Sequence, residues 1–334
     1  MKQEGLSPKK NLVWINNTRA LCMMFVFLYH AELFLCFRFH GIDAFYLPFY
    51  VNCFFIISGF LFYRKQLTNK KFLMGGAVLN ILFRIAIPSV LFALVEFFPK
   101  KIIRGESIEY IDLINETIGG GTYWFTSALV VSELILLVLL FTRKSNIWYY
   151  AIICFVLGAV GMLIVKLNIL NISVWAWRQG LISLIFLAMG GLYWKYEKQI
   201  DKLMRWWFVI PLLIVYFAMI FGLKGYNDAL ICYLTIQPLG VVTSAIASLI
   251  MIWVCKKLPE IRFLSFIGLN SIGFYFFSGA LPNIYSILIT RYSVIPMSFT
   301  LLIVVILSIL TAYPIMLVLT SLFPWLFDLR LLRN

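Results

Sequence analysis

Charge is what this chain has least of. Only 13% of its 334 residues are Asp, Glu, Lys or Arg, about half of the roughly 25% usual in a soluble domain. With 63% of the residues hydrophobic, too little polar surface remains to cover a water-soluble globule. Acidic residues are scarcer still, 14 against 28 basic ones, and histidine occurs twice. The six cysteines, Cys22, Cys36, Cys53, Cys154, Cys232 and Cys255, show no CxxC spacing. They read as small buried hydrophobes, which leaves neither a disulfide framework nor a metal site. No heptad seam, low-complexity tract or internal repeat is present, and no stretch between apolar runs is long enough for a separate soluble domain. A single integral-membrane domain over residues 1–334 is expected. No cleavable signal peptide is expected either: the first apolar run is too long for an h-region and has no small-residue cleavage site.

Apolar segments are abundant. Spans are predicted at 12–37, 45–63, 72–98, 122–141, 147–166, 175–194, 206–223, 230–255, 263–289 and 297–323, each about long enough to cross some 30 Å of hydrocarbon as a helix. The expected fold class is therefore all-α, a polytopic transmembrane bundle of about ten helices. Basic residues concentrate in alternate loops: Lys9 and Lys10, Arg64 with Lys65, Lys70 and Lys71, Arg143 with Lys144, Lys195 to Arg205, Lys256 with Lys257 and Arg262, and Arg330 with Arg333. The positive-inside rule then places both termini in the cytoplasm. It also accounts for the net charge of +14 through anionic lipid headgroups rather than nucleic acid. The longest connection, Pro99 to about Gly121, is placed outside. It reads either as a solvated loop with a flexible glycine end or as part of a lid over an external substrate entrance.

Ionisable groups inside such spans cost several kcal/mol by insertion scales, so each calls for a partner or a role. Arg19 and His30 lie eleven positions apart in the first span. At about 100° per residue this is three turns and roughly 20°, so both sit on one helix face, about 16 Å apart along the axis. Guanidinium suits phosphate or carboxylate, and imidazole exchanges a proton near neutral pH. The face pairs an anion clamp at the cytoplasmic end with an acid/base group deeper in; a snorkelling Arg and a satisfied core His are the structural alternatives. Glu133, inside the fourth span, is a candidate to orient the imidazole or pair with an Arg, and is preferred to Glu32, which faces away from His30 near the outer interface. Ser58-Gly59 offers a small spot for helix packing or a ligand. Arg84, four residues before Pro88, adds positive charge near the cytoplasmic end of the third span. Trp124 and Arg178 read as substrate contacts or as boundary anchors.

In this order the segments resemble the acyltransferase-3 family of integral-membrane acyltransferases. The resemblance rests on Arg19, ten residues and His30; on Phe54-Phe55-Ile56-Ile57-Ser58-Gly59-Phe60; on Arg84-Ile-Ala-Ile-Pro88; on Tyr123-Trp124-Phe125; and on Met189-Gly190-Gly191. It departs from the family where Asn80 and Ile81 precede Arg84 without a second basic residue. It departs again where Phe274-Tyr275-Phe276-Phe277 runs into Ser278-Gly279 rather than His. The resemblance implies a bacterial inner-membrane enzyme moving an acyl group, usually acetyl from cytoplasmic acetyl-CoA, to a hydroxyl of an envelope polysaccharide, glycolipid or lipid-linked sugar. Arg19 and Arg84 would engage the donor, His30 with Glu133 the acyl transfer, and Ser58, Trp124 and Arg178 the substrate, with no metal. No esterase-like domain follows the spans, so the membrane domain is expected to act alone, as a homodimer or with a partner protein. The rival reading is a proton-coupled secondary transporter or flippase for an anionic envelope precursor, with His30 relaying protons and Arg19 binding the anion.

Overall fold

The computed structural model describes residues 13–38, 41–68, 74–105, 107–142, 146–169, 174–223, 238–292 and 295–324. Among them no strand occurs. The helices are α1 (Val13–Phe34), α2 (Ile42–Tyr46), α3 (Asn52–Thr68), α4 (Met74–Ile81), α5 (Ile87–Arg104), α6 (Tyr110–Glu116), α7 (Trp124–Phe141) and α8 (Ile147–Lys166). They continue as α9 (Trp177–Leu203), α10 (Trp206–Phe217), α11 (Pro238–Lys257), α12 (Arg262–Leu269), α13 (Ser271–Tyr292) and α14 (Met297–Leu322), with π-helical turns at Leu82–Ala86 and Ala218–Gly222. Two compact units result. One holds α1, α2, α3 as far as Phe54, the chain from Lys198 through α10, and α11 to α14 as far as Leu319; the other holds Phe55–Glu197.

By length and composition, six stretches among the described residues qualify as membrane spans: Met74–Ile102, α7, α8, Leu239–Lys257, α13 and α14. A seventh is added if α9 and the stretch Trp206–Gly222 form one broken span. The first two expected spans are not among these. The helical part of the second, α3, has 17 residues, and α1 carries Asn16, Asn17, Arg19, His30 and Glu32 along its length. The opening of the expected 230–255 span lies outside the described residues.

Local chemistry explains where other boundaries differ from expectation. The expected 263–289 helix breaks at Asn270, whose Nδ2 donates to the carbonyl of Phe266 at 3.0 Å, the backbone competition that makes Asn a helix interrupter. The third span runs on to Arg104 and ends at Gly105, which takes a left-handed φ of 65°. Its π turn falls where Pro88, lacking an N–H, cannot donate to Arg84 and its ring would crowd that carbonyl. The 99–121 connection is not a plain loop. It contains α6, tied down by Lys100–Glu116 at 2.9 Å and Lys101–Asp112 at 2.7 Å. The glycine end is anchored as well: Trp175 N–H donates to the Gly119 carbonyl at 2.7 Å. Cys22, Cys53, Cys154 and Cys255 are buried free thiols, whereas Cys36 is exposed and Cys232 lies outside the described residues.

Lipid tails are as apolar as leucine, so helices associate in a membrane through close packing and hydrogen bonds. In the first unit α1 packs against α12 and α13. Gly268 comes so close to α1 that a Cβ there would stand 2.1 Å from the Asn16 carbonyl oxygen. Buried Asn17 donates from Nδ2 to the Pro259 carbonyl at 3.2 Å, so the polar start of α1 is fixed by the turn before α12. In the second unit α3 and α9 meet backbone to backbone. A Cβ on Gly59 would lie 2.1 Å from the Leu187 carbonyl oxygen, and one on Gly190 would lie 2.0 Å from that of Ile56. The Ser58-Gly59 spot is therefore a packing site at its glycine.

Gly190→Ala is expected to destabilise the detergent-solubilised protein by about 1–3 kcal/mol or more through overpacking. Gly75→Ala, where a Cβ meets nothing within 4 Å, should be neutral or stabilising by up to about 1 kcal/mol. Thermal unfolding of the two variants side by side checks both signs.

Candidate functional site

His30 sits half-buried in α1, its Nδ1 2.9 Å from the carbonyl oxygen of Val26, one turn earlier. A carbonyl can only accept, so Nδ1 carries the proton and donates. The lone pair of the neutral ring is thereby assigned to Nε2. Tyr29 meets the imidazole edge-on at 5.6 Å between ring centroids, and Phe34 stacks on it at 6.4 Å. The helix thus holds the ring by one edge and the aromatics limit its rotation, leaving Nε2 as the group that takes a proton. His40 lies outside the described residues.

Arg19, half-buried, shares α1 with His30 and is flanked by Thr18, whose hydroxyl donates to the Trp14 carbonyl at 2.7 Å. Another cation belongs to this end of the unit: Lys256 stands 5.0 Å over the Trp14 ring and pairs with Asp201 at 2.6 Å. Glu32 is 2% exposed and accepts a hydrogen bond from the Tyr46 hydroxyl at 2.6 Å, so it is a buried tie between α1 and α2.

The remaining candidates belong to the second unit. Ser58 and Glu133 are brought together: the Ser58 hydroxyl donates to Glu133 Oε1, joining α3 to α7 through a carboxylate that is 8% exposed. Glu133 thus engages Ser58 within its own unit. Arg84 is exposed in the π turn. Trp124 opens α7, Arg178 is the second residue of α9, and both are half-buried. Their helix starts are held at one end of the unit, because the turns before them are joined by the Trp175–Gly119 bond. The Ser127 hydroxyl adds a bond of 3.0 Å to the Gly120 carbonyl. Gly120 has φ of 74°, and a Cβ there would lie 2.5 Å from Ser127 Oγ, so only glycine fits.

One carboxylate went unread in the sequence. Glu96, in α5, accepts a hydrogen bond from the Tyr123 hydroxyl at 2.5 Å, next to Trp124. The signal was available, since Glu96 is an ionisable residue inside the expected 72–98 span, the same criterion that singled out Glu133. Among the described residues no group of three or more His, Cys, Asp and Glu is placed to hold a metal ion.

The Ser58–Glu133 pair is expected to be coupled. In a double-mutant cycle of Ser58→Ala and Glu133→Gln, an interaction energy of about 0.5–3 kcal/mol should appear in thermal unfolding. Strict additivity would show that the two groups do not share a bond that matters to stability.

Comparison with known families bears on this arrangement. A family model described as an acyltransferase domain, that of acyltransferase-3, matches residues 12–327. No curated protein and no solved structure matches the chain. The matched region takes in both units, the Arg19–His30 helix, the Ser58–Glu133 pair and the joined starts of α7 and α9. On that extent of match, the chain belongs to the acyltransferase-3 family and is a membrane acyltransferase.

Proposed function

We propose that the protein is an O-acyltransferase of the bacterial inner membrane that moves acetyl from cytoplasmic acetyl-CoA to a hydroxyl of an envelope polysaccharide, glycolipid or lipid-linked sugar. In this reading the chain crosses the membrane about ten times, with both termini in the cytoplasm, and α1 enters with Arg19 on the donor side and His30 deeper. The observation that carries it is the His30–Val26 hydrogen bond, which leaves Nε2 as a proton acceptor on a helix whose other in-phase ionisable group is an arginine.

Arg19 engages the phosphates of coenzyme A. The acceptor oxygen attacks the thioester carbonyl while its proton passes to Nε2 of His30. The C–S bond breaks, an ester C–O bond forms, and the coenzyme A thiolate leaves and takes up a proton. His30 serves either as this general base or as a transient acyl carrier on Nε2; in both routes Nε2 is the working atom. Glu133 with Ser58, and Trp124 with Arg178, serve the acceptor side in this reading.

Labelled acetyl-CoA supplied to the purified protein in vesicles with an envelope acceptor fraction should place label in the acceptor. His30→Gln and His30→Asn should each lower the rate by about 10²–10⁴-fold, the usual worth of a general base. The Asn variant keeps a donor near the Val26 carbonyl, so its loss would point to Nε2 chemistry rather than to local packing. Full activity in both variants would remove His30 from the mechanism. Arg19→Gln should raise KM for acetyl-CoA more than it lowers kcat, and an unchanged KM would move the donor site elsewhere.

A further inference from the structure

The α6 helix divides its chemistry by face. Asp112 and Glu116, one turn apart, point to α5, where Lys101 and Lys100 neutralise them at 2.7 and 2.9 Å. Tyr110, Ile111 and Ile114 follow the opposite helical spacing, Ile118 lies in the turn just beyond, and all four are exposed by 50–87%. Soluble surfaces seldom present four large apolar side chains in one stripe without something to cover them. The arrangement is the reverse of an ordinary surface helix: the charged side is turned inward and satisfied, and the apolar side is turned out.

What covers that stripe is indicated by the element that carries α6. The apolar segment through α4 and α5 runs to Ile102, and its exposed positions Val95, Phe98 and Ile102 recur at helical spacing as a lipid-facing stripe. Ile102 is eight positions before Tyr110. The chain turns at Gly105, and the two lysines that follow Pro99 fix α6 against the end of the same helix. Tyrosine, 87% exposed at the start of α6, is a residue that favours the headgroup level.

We propose that α6 is an interfacial helix lying in the membrane surface at the C-terminal end of α5, with Tyr110, Ile111 and Ile114, and Ile118 of the turn that follows, inserted at the boundary between headgroups and acyl chains. The ligand is the lipid surface itself, and its recognition is apolar rather than electrostatic, because the acidic side chains of α6 are already paired within the protein. Such helices bury their apolar face some 5–10 Å into that boundary. Anchored in this way, α6 fixes the level of the Gly119–Gly121 turn relative to the bilayer, and with it the start of α7.

The test uses the full chain with Cys36→Ser and Cys232→Ser, the other cysteines being buried. Into this background go Ile111→Cys, Ile114→Cys or, as the water-facing comparator, Ser107→Cys. Each variant is nitroxide-labelled and reconstituted into phosphatidylethanolamine–phosphatidylglycerol vesicles. Collision with oxygen, which partitions into lipid, is compared with collision with a water-soluble nickel chelate. Labels at 111 and 114 should show an oxygen-to-nickel ratio several-fold above that at 107. Nickel access at 111 and 114 as high as at a label on the exposed C-terminal turn of α9 (Lys202→Cys), with oxygen-to-nickel ratios equally low, would overturn the proposal by placing α6 in water. Shielding of 111 and 114 from both reagents would overturn it in favour of a protein surface, such as a second copy of the chain.

Discussion

A helix that carries Asn17, Arg19, His30 and Glu32 within a mostly apolar sequence is stable only where neighbouring protein receives its buried polar groups. In α1 three of the four have partners at named points. Asn17 is taken up by the turn before α12, Glu32 by Tyr46 of α2, and the His30 Nδ1 proton by the helix's own backbone. Close approach makes this enclosure possible. Where Gly268 lets α12 reach the Asn16 carbonyl, no larger residue would allow the two backbones to draw together. The acid/base chemistry proposed for His30 depends on the same enclosure, since a ring held by one nitrogen has the other to offer.

The second unit solves the same problem with different parts. Its buried carboxylate, Glu133, is satisfied by Ser58, and the adjacent Gly59 and Gly190 carry the backbone contact of α3 with α9. The polar bond and the steric contact are thus one residue apart on α3. This links a candidate substrate residue directly to the packing that fixes its height in the helix. At another end of the unit, Gly120 and the Trp175–Gly119 bond bring the starts of α7 and α9 together, so that Trp124 and Arg178 are presented by two anchored turns.

Much of this could be read in advance. The helical class, the membrane setting and the phase relation of Arg19 and His30 follow from hydropathy and the 3.6-residue period alone. The Ser58-Gly59 segment was visible as small, although its division into a hydrogen-bonding serine and a packing glycine was not. What stayed hidden depends on pairings far apart in the chain. The burial of Glu32 needs Tyr46, the order of the 99–121 connection needs Lys100 and Lys101 to find α6, and the role of Glu96 needs Tyr123. Periodicity reports which face a residue occupies but not what stands opposite it. The break at Asn270 was legible in kind, since Asn competes with backbone, but an apolar run on both sides masked it.

The π-helical turn at Leu82–Ala86 has a geometric effect that reaches the whole third span. The exposed apolar positions Leu79 in α4 and Phe83 in the π turn are four apart, and along α5 Leu91, Val95, Phe98 and Ile102 are spaced by three or four. From Phe83 to Leu91 the interval is eight, one more than the seven that two regular turns would give. In an uninterrupted α-helix an interval of eight would leave the second stripe about 80° round from the first. A π turn absorbs one residue without advancing the face, so it acts as a phase corrector that lets both halves of the span show lipid the same side. Arg84 stands at the point of correction, and its exposed position is the place where the helix has one residue to spare.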